Sequence, residues 1–161
     1  MFLTTIGKPK NISLKECKQA IKYYGRQLLG NRLYNALEVT VEFSSKELSK
    51  NIYGYCDWVD TNHLGREFHL IIRPTLSKKG TLVVLAHEMI HVKQYAKGEL
   101  KDYLRLNSVK WKGKVYDDEK IDYWDHPWEI EAYGRELGLY VHYKMHLKIQ
   151  KDYKKFCRNN K

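Results

Sequence analysis

Residues 83–100 read "VVLAHEMIHVKQYAKGEL", and this stretch decides how the rest of the chain is interpreted. His87 and His91 stand four positions apart, with Glu88 directly after the first histidine. Residues at this spacing share one face of an α-helix, about 6 Å apart, so both rings can direct a nitrogen at one metal ion. Glu88 lies about 100° round the helix, where it can reach a water molecule instead of the metal. The pattern predicts a zinc site with a general base beside it.

The surroundings of the two histidines predict a helix that ends at Gly98. Apolar residues recur at helical intervals, at Leu82, Leu85, Ala86, Met89, Ile90 and Val92, and glycine is a common residue just after a helix end. These residues place the histidines on a helix whose other sides are buried. The HExxH pattern alone fixes only three residues, so an ordinary amphipathic helix is the alternative interpretation.

A catalytic zinc site needs a third protein ligand, and "HPWEIEAYGRE" at residues 126–136 supplies two candidates. Glu129 and Glu131 fall in the first turn of a predicted helix, two positions and about 200° apart, so only one can face the histidines. Acidic residues also favour a helix N-terminus through the helix dipole. The spacing therefore leaves the choice between the two carboxylates open.

"HEMIH" followed by "EIEA" resembles the gluzincin zinc metallopeptidases, whose second helix carries an ExxA motif. Together with "WKGK" and "PWEIEAYGRE", the chain is similar to small metallopeptidase-like proteins found in tailed-phage genomes. The resemblance implies a zinc-dependent peptidase with a zincin-like fold. It implies that Zn²⁺ is held by His87, His91 and Glu129, which stands three before Ala132, and that Glu88 is the general base.

The resemblance also implies further site residues. Gluzincins stabilise the oxyanion with a tyrosine or histidine, and the candidates here are Tyr123, His126, Tyr133 and His142. Spacing does not choose among them, and Tyr133 and His142 are the predicted catalytic residues. Larger gluzincins have an aspartate four residues after the ligand glutamate, but here the position is Tyr133, whose hydroxyl can accept a hydrogen bond from imidazole. The segment "REFHLIIRP", residues 66–74, is expected beside the cleft, where a peptide substrate could add as another strand.

The remaining patterns predict an α+β fold in one domain spanning residues 1–161. A helix is expected from Ser13 to Gly30, a strand at 37–43, hairpins at 51–74 and 108–118, and a long helix from Pro127 with a break near Gly138. The expected architecture is zincin-like, with a small mixed or antiparallel sheet packed on the HExxH helix and a glutamate-bearing helix after it.

The net charge of +10 is concentrated in residues 8–32 and in a basic C-terminal tail at about 144–161. Such charge would suit a polyanionic partner, but no recognised nucleic-acid motif accompanies it, so solvated surfaces and a frayed basic tail are the favoured interpretation. Weak nonspecific nucleic-acid contact through the termini is the alternative. Two functions are alternatives to the peptidase. One is a basic nucleic-acid-binding protein with a structural zinc, and the other is a catalytically silent zincin scaffold that binds a partner. The intact Glu88 disfavours the silent scaffold.

The composition gives expectations about location. Cys17, Cys56 and Cys157 are far apart and form no CxxC motif, which favours a reducing compartment. No apolar run approaches the roughly 20 residues of a membrane helix, so a cytoplasmic protein is expected, in the host cytoplasm if it is phage-encoded, with a protein or peptide substrate. The pattern leaves the oligomeric state open.

The remaining histidines and aromatic residues are expected to have structural roles. His63, His69 and His146 are expected to be structural or surface residues, and the aromatic set Trp124, Trp128, Tyr133 and Tyr140 is expected to belong to the core.

Overall fold

A computed structural model describes residues 1–46, 48–103 and 108–159. These residues form β1 (Phe2–Ile6), α1 (Leu14–Asn35), β2 (Glu38–Phe43), β3 (Gly54–Trp58), β4 (Glu67–Ile72), α2 (Lys78–Ala96), β5 (Leu100–Tyr103), β6 (Ser108–Trp111), β7 (Lys114–Asp117) and α3 (Pro127–Asn159). Two short 3-10 turns, Asp118–Lys120 and Tyr123–Asp125, lead into α3. The combination of helices with two separate sheets confirms the α+β class.

The larger sheet is mixed and has the order β1-β2-β4-β3. β2 pairs in parallel with both β1 and β4, while β3 and β4 form the predicted antiparallel pair. Side chains alternate along β2, so that Val39, Val41 and Phe43 are buried while the residues between them are not. Because successive strand residues point to opposite faces, one face of this sheet packs into the core with the helices.

The order of this sheet corrects one expectation about β4, which contains most of "REFHLIIRP". β4 is hydrogen-bonded to β2 on one side and to β3 on the other, so neither of its edges can accept a further strand. β3 lies at the edge of the sheet instead. Hydrophobic pattern alone could not show this, because it identifies strands and says nothing of their order.

α1 begins as predicted and ends later than predicted. The Ser13 hydroxyl accepts a hydrogen bond from the Glu16 amide at 3.2 Å, which caps the first turn. At Gly30 the backbone adopts φ of 72°, a left-handed conformation that glycine tolerates, and the chain kinks there. The helix then resumes to Asn35, so Gly30 is a kink and not the end.

α2 is capped by Ser77, whose hydroxyl accepts from the Gly80 amide at 3.1 Å. It ends before Gly98, which has φ of 68°, as the sequence predicted. The helix packs against α1, α3 and strands β3 and β4. Neighbours cover most of the helix beyond its first turn, so His87, Glu88, His91 and Gln94 lie in the interior, where a polar group is stabilised by a partner.

α3 begins at Pro127, as predicted, and runs without interruption to Asn159. The predicted break near Gly138 is wrong, since a single glycine lowers helix stability by only about 1 kcal/mol and the neighbouring turns maintain the helix. The basic segment from residue 144 onward is helical as far as residue 159. None of the helices in the described part of the chain is apolar enough over a sufficient length to cross a membrane.

The smaller sheet is antiparallel, with the order β5-β6-β7. Its β6–β7 hairpin turns at Lys112 and Gly113, both with positive φ, as the sequence predicted. β1 and β5 were missed because each is only four or five residues long and follows no clear alternating pattern. Trp111 and Trp128 are buried together beneath this sheet and connect it to the start of α3.

Candidate metal centre

Helices α2 and α3 bring His87, His91 and Glu129 together in the interior. The two Nε2 atoms are 3.1 Å apart. One carboxylate oxygen of Glu129 lies 3.3 Å from His87 Nε2, and the other lies 3.4 Å from His91 Nε2. All three residues are at most 8 % exposed. We call this group the histidine cluster.

Hydrogen bonds to the other nitrogen of each ring fix which way the two imidazoles face. His87 Nδ1 donates to Glu136 Oε2 at 2.9 Å, since a carboxylate only accepts. His91 Nδ1 is 2.8 Å from Gln94 Oε1. The Gln94 amide nitrogen donates to the Trp128 carbonyl and to Glu131, so its oxygen faces His91 and accepts. Both Nε2 atoms therefore point into the cluster, the arrangement that metal-binding histidines adopt.

The donor set fits a zinc ion. Two imidazole nitrogens and one carboxylate oxygen are ligands that zinc takes in catalytic sites. Ligands about 2.0–2.1 Å from a tetrahedral ion are separated from one another by roughly 3.3 Å. His87 Nε2 lies 3.1 Å from His91 Nε2 and 3.3 Å from Glu129 Oε2, close to that edge length, and one ligand atom from each of the three residues lies within 4.8 Å of the others. The residues present can therefore hold a metal ion without a large rearrangement.

The carboxylates around the histidine cluster favour a positive charge within it. Burial lowers the pKa of His87, but hydrogen bonds to Glu129 and Glu136 outweigh it and raise the pKa to about 10. Burial lowers the pKa of His91, which favours its neutral form. Without another cation, a proton on His87 neutralises part of the surrounding negative charge. A divalent cation can replace that proton, because metal ligands bind in their deprotonated forms.

Glu88 lies next to the histidine cluster and is 4 % exposed. Burial raises its pKa to about 8. Within the described residues, no hydrogen-bond donor reaches its carboxylate. β3 approaches α2 closely at this point, since a Cβ atom at Gly54 would collide with the Glu88 carboxylate and lie 2.6 Å from Val84 Cγ1. Glycine at position 54 therefore leaves room for the Glu88 side chain.

Glu131 lies away from the histidines and belongs to a different group. Lys93 Nζ is 2.8 Å from Glu131 and 2.5 Å from Glu99. Burial raises the pKa of Glu131, but hydrogen bonds from Lys93 and Gln94 outweigh it and lower the pKa to about 2. We call Lys93, Glu99 and Glu131 the lysine cluster. The structure thus directs Glu129, and not Glu131, toward the two histidines.

Two tyrosines border the histidine cluster. The Tyr123 hydroxyl donates to Glu129 Oε2 at 2.9 Å. The Tyr133 ring packs against the His87 ring, with centroids 4.7 Å apart and planes inclined by 63°. Tyr133 does not take the expected role of accepting from imidazole, because Glu136 occupies the Nδ1 position of His87.

The cluster opens into two cavities. One has a volume of about 450 Å³ and reaches His91, Glu129 and the edge strand residues Tyr55 and Cys56. The other, about 520 Å³, extends toward Trp124, Tyr133 and Glu136. The residues shared by both are Ile52, Gly54, His87, Glu88 and Tyr123. A chain lying across the site could therefore place groups on both sides of Glu88.

The structure does not bring the remaining candidates to the site. His142 is exposed on α3, and 13 residues of unbroken helix place it roughly 20 Å from Glu129. His126 stacks on Trp128, with centroids 4.5 Å apart, and lines neither cavity. Trp124 is 65 % exposed, so its expected place in the core is wrong, while Trp128 is buried.

Gln94 and Glu136 are site residues that the sequence interpretation missed. Gln94 stands three after His91 and Glu136 stands seven after Glu129. Both spacings return a helical side chain to the same face, so the signal was present in the sequence. The resemblance to gluzincins pointed to position 133 instead of position 136.

No family model, no curated protein and no solved structure matches this chain.

The assignment of a function therefore depends on the site itself. Its geometry supports a metal ion held by His87, His91 and Glu129, with a buried carboxylate beside it and two cavities leading to it.

Proposed function

We propose that the chain is a zinc-dependent peptidase of the minimal gluzincin type, with a zincin-like fold. The observation that carries this proposal is the convergence of three metal-binding atoms, from His87, His91 and Glu129, beside the buried carboxylate of Glu88. Three protein ligands are the usual number in catalytic zinc sites, whereas structural sites usually have four. The ligand count therefore favours catalysis over a purely structural metal.

Zinc bound by such residues acts as a Lewis acid that polarises carbonyl groups and activates water. The chain supplies what must surround that chemistry. Glu136 and Gln94 hold the two imidazole rings in their metal-binding orientation through the Nδ1 atoms. Tyr123 donates to Glu129 and fixes the orientation of its carboxylate.

Glu88 is the proposed general base. Its carboxylate accepts a proton from the attacking water and then delivers that proton to the leaving amine. Burial favours the protonated form and raises the pKa toward neutrality, which suits a group that must both accept and return a proton. The space at Gly54 keeps this carboxylate free of side-chain contacts from β3.

The surroundings also suit a peptide substrate. β3 is an edge strand, and Gly54, Tyr55 and Cys56 line the cavity beside the histidine cluster. An extended peptide can pair with such an edge through main-chain hydrogen bonds, which recognise peptides of many sequences. The Tyr133 hydroxyl is the proposed donor to the oxyanion, since its ring packs against His87 and the single hydroxyl proton of Tyr123 is already donated to Glu129.

A catalytically silent scaffold is the main rival function, and Glu88 is the residue that disfavours it. A buried carboxylate without a hydrogen-bond donor lowers the stability of the folded protein. A scaffold that only bound a partner would gain nothing from retaining that group, whereas a peptidase requires it.

Substitution of Glu88 tests the proposal. Glu88→Gln keeps the side-chain size and removes the proton acceptor, so hydrolysis of a casein or mixed-peptide substrate should fall by about 10²–10⁴-fold. Zinc content, measured by elemental analysis, should stay at the wild-type level. The matched control is Glu136→Gln, which should weaken zinc binding as well as hydrolysis. Unchanged hydrolysis in zinc-loaded Glu88→Gln would contradict the assigned role of Glu88.

A further inference from the structure

A second groove lies between α1 and the C-terminal half of α3. Its volume is about 410 Å³, and its walls are formed by Gln19, Lys22, Tyr23, Arg26, Gln27, Tyr143, His146, Leu147 and Gln150. Tyr23 forms the floor, with its ring centroid 5.5 Å from that of Tyr143 and 4.9 Å from that of His146. No residue of the histidine cluster takes part in this groove.

The two cations on the rim of this groove, Lys22 and Arg26, have no ion-pair partner among the described residues. Both side chains are exposed. The lining residues include no aspartate or glutamate. The Arg26 guanidinium lies 5.4 Å from the centroid of the Tyr34 ring, which limits its movement. The opposite wall has polar side chains, with Gln150 hydrogen-bonded to His146 at 2.9 Å.

Further cations extend from both ends of the groove. On α1, Lys15 and Lys18 precede Lys22 and Arg26 at spacings of three and four residues, which places all four on one helix face. On α3, Lys151 and Lys154 stand four after Leu147 and Gln150, Arg158 stands four after Lys154, and Asp152 is the only acidic residue in 148–159. Lys148 and Lys155 lie on the other side of the helix. The groove thus lies within a longer basic surface. A ligand with many regularly spaced negative charges matches it better than a single anion does.

We propose that this groove and the adjoining basic faces of α1 and α3 bind the phosphate backbone of a nucleic acid strand, without preference for sequence. Lys22 and Arg26 contact phosphates, and the side-chain amides of Gln19, Gln27 and Gln150 donate hydrogen bonds to phosphate or sugar oxygens. The concave, polar walls suit a strand and not the flat surface of a bilayer. This site is separate from the peptidase site, since 18 residues of α3, roughly 27 Å, separate Glu129 from Leu147.

Binding of a fluorescein-labelled 20-nucleotide single-stranded DNA to the full chain tests the proposal by fluorescence anisotropy. About four phosphate contacts should give a slope near −3 for log affinity against log salt concentration. Lys22→Glu/Arg26→Glu should weaken binding at least tenfold at about 50 mM salt. The milder Lys22→Gln/Arg26→Gln should weaken it in the same direction by a smaller factor, which guards against misfolding of the charge-reversal variant.

The matched control is Lys110→Glu/Lys114→Glu on the β6–β7 hairpin, which changes the net charge equally at a distant place. It should weaken binding by less than about threefold. Equal weakening by the two charge-reversal pairs would overturn the proposal, because net charge alone would then account for binding. Absence of wild-type binding at 50 mM salt would overturn it too, as would binding to anionic phospholipid vesicles but not to DNA. Zinc removal should leave DNA affinity unchanged.

Discussion

The histidine cluster and the lysine cluster lie side by side where α2 meets α3, yet their charges are balanced differently. Lys93 stands two after His91, and Glu131 stands two after Glu129. In the lysine cluster the chain provides its own cation, since Lys93 contacts both Glu99 and Glu131. Within the part of the chain that the structure describes, two imidazole nitrogens and a carboxylate converge in the histidine cluster with no lysine or arginine bonded to them. Burial of charge alone therefore does not set the histidine cluster apart; the convergence of metal-binding atoms does.

The comparison predicts that the lysine cluster contributes to stability without metal. Lys93→Met keeps the side-chain length but removes the buried cation that contacts Glu99 and Glu131, leaving Glu131 only the more exposed Arg135 and Lys112, so the free energy of unfolding should fall by about 3–5 kcal/mol. Urea titration in the presence of a chelator measures the loss. Lys79→Met, at an exposed position on the same helix, should change stability by less than about 0.5 kcal/mol.

The same urea titration with zinc in place of the chelator should distinguish the two clusters. Because a ligand that binds only the folded state raises its stability, saturating zinc should stabilise wild type and Lys93→Met by similar amounts. A Lys93→Met protein that binds no zinc yet remains folded would show that the clusters are not independent.

Removal of Glu129 and removal of Glu131 should have different effects on zinc affinity. Glu129→Ala should lower affinity several hundredfold, about 3–4 kcal/mol, because it removes a ligand. Glu131→Ala should lower it by less than tenfold, since Glu131 reaches His91 only through Gln94. Competition with a chromogenic chelator measures both affinities. The reverse ranking would assign the third ligand to Glu131 and rotate the start of α3 by about half a turn.

The smallest predicted effects belong to the residues that orient the histidines. Glu136→Ala and Gln94→Ala each remove a partner of an imidazole Nδ1, and loss of such a partner commonly lowers metal affinity by about 10–100-fold. The same chelator competition applies. Arg135→Ala, next to Glu136 but directed toward Glu131, is the matched control and should stay within a few-fold of wild type. Equal effects of Glu136→Ala and Arg135→Ala would mean that the Nδ1 contact does not tune the metal.

Local patterns predicted the helices well because capping and periodicity are properties of neighbouring residues. Ser13, Gly98 and Pro127 each mark a helix boundary as predicted. The order of the strands was not predictable in this way, since pairing of β1 with β2 joins segments that are far apart in sequence. The helix break predicted at Gly138 was wrong, because one glycine in a long helix costs less stability than the surrounding turns contribute.

The candidate site shows the same division between local and distant information. The spacing of His87, Glu88 and His91 placed them on one helix, and the resemblance to gluzincins chose Glu129 in preference to Glu131. Glu136 was within reach of the same helical reasoning, since it lies seven residues after Glu129. The position of Tyr123 was not, because it depends on how the 3-10 turn before α3 folds against Glu129.

X-ray diffraction from crystals grown with zinc, collected on both sides of the zinc absorption edge, tests the central claim most directly. The account predicts one strong anomalous peak per chain within about 2.0–2.2 Å of His87 Nε2, His91 Nε2 and a Glu129 oxygen. Glu131 should remain bonded to Lys93 in the same map. An anomalous peak elsewhere with the histidine cluster unoccupied, or no peak in zinc-saturated crystals, would contradict the assignment of this cluster as a zinc site.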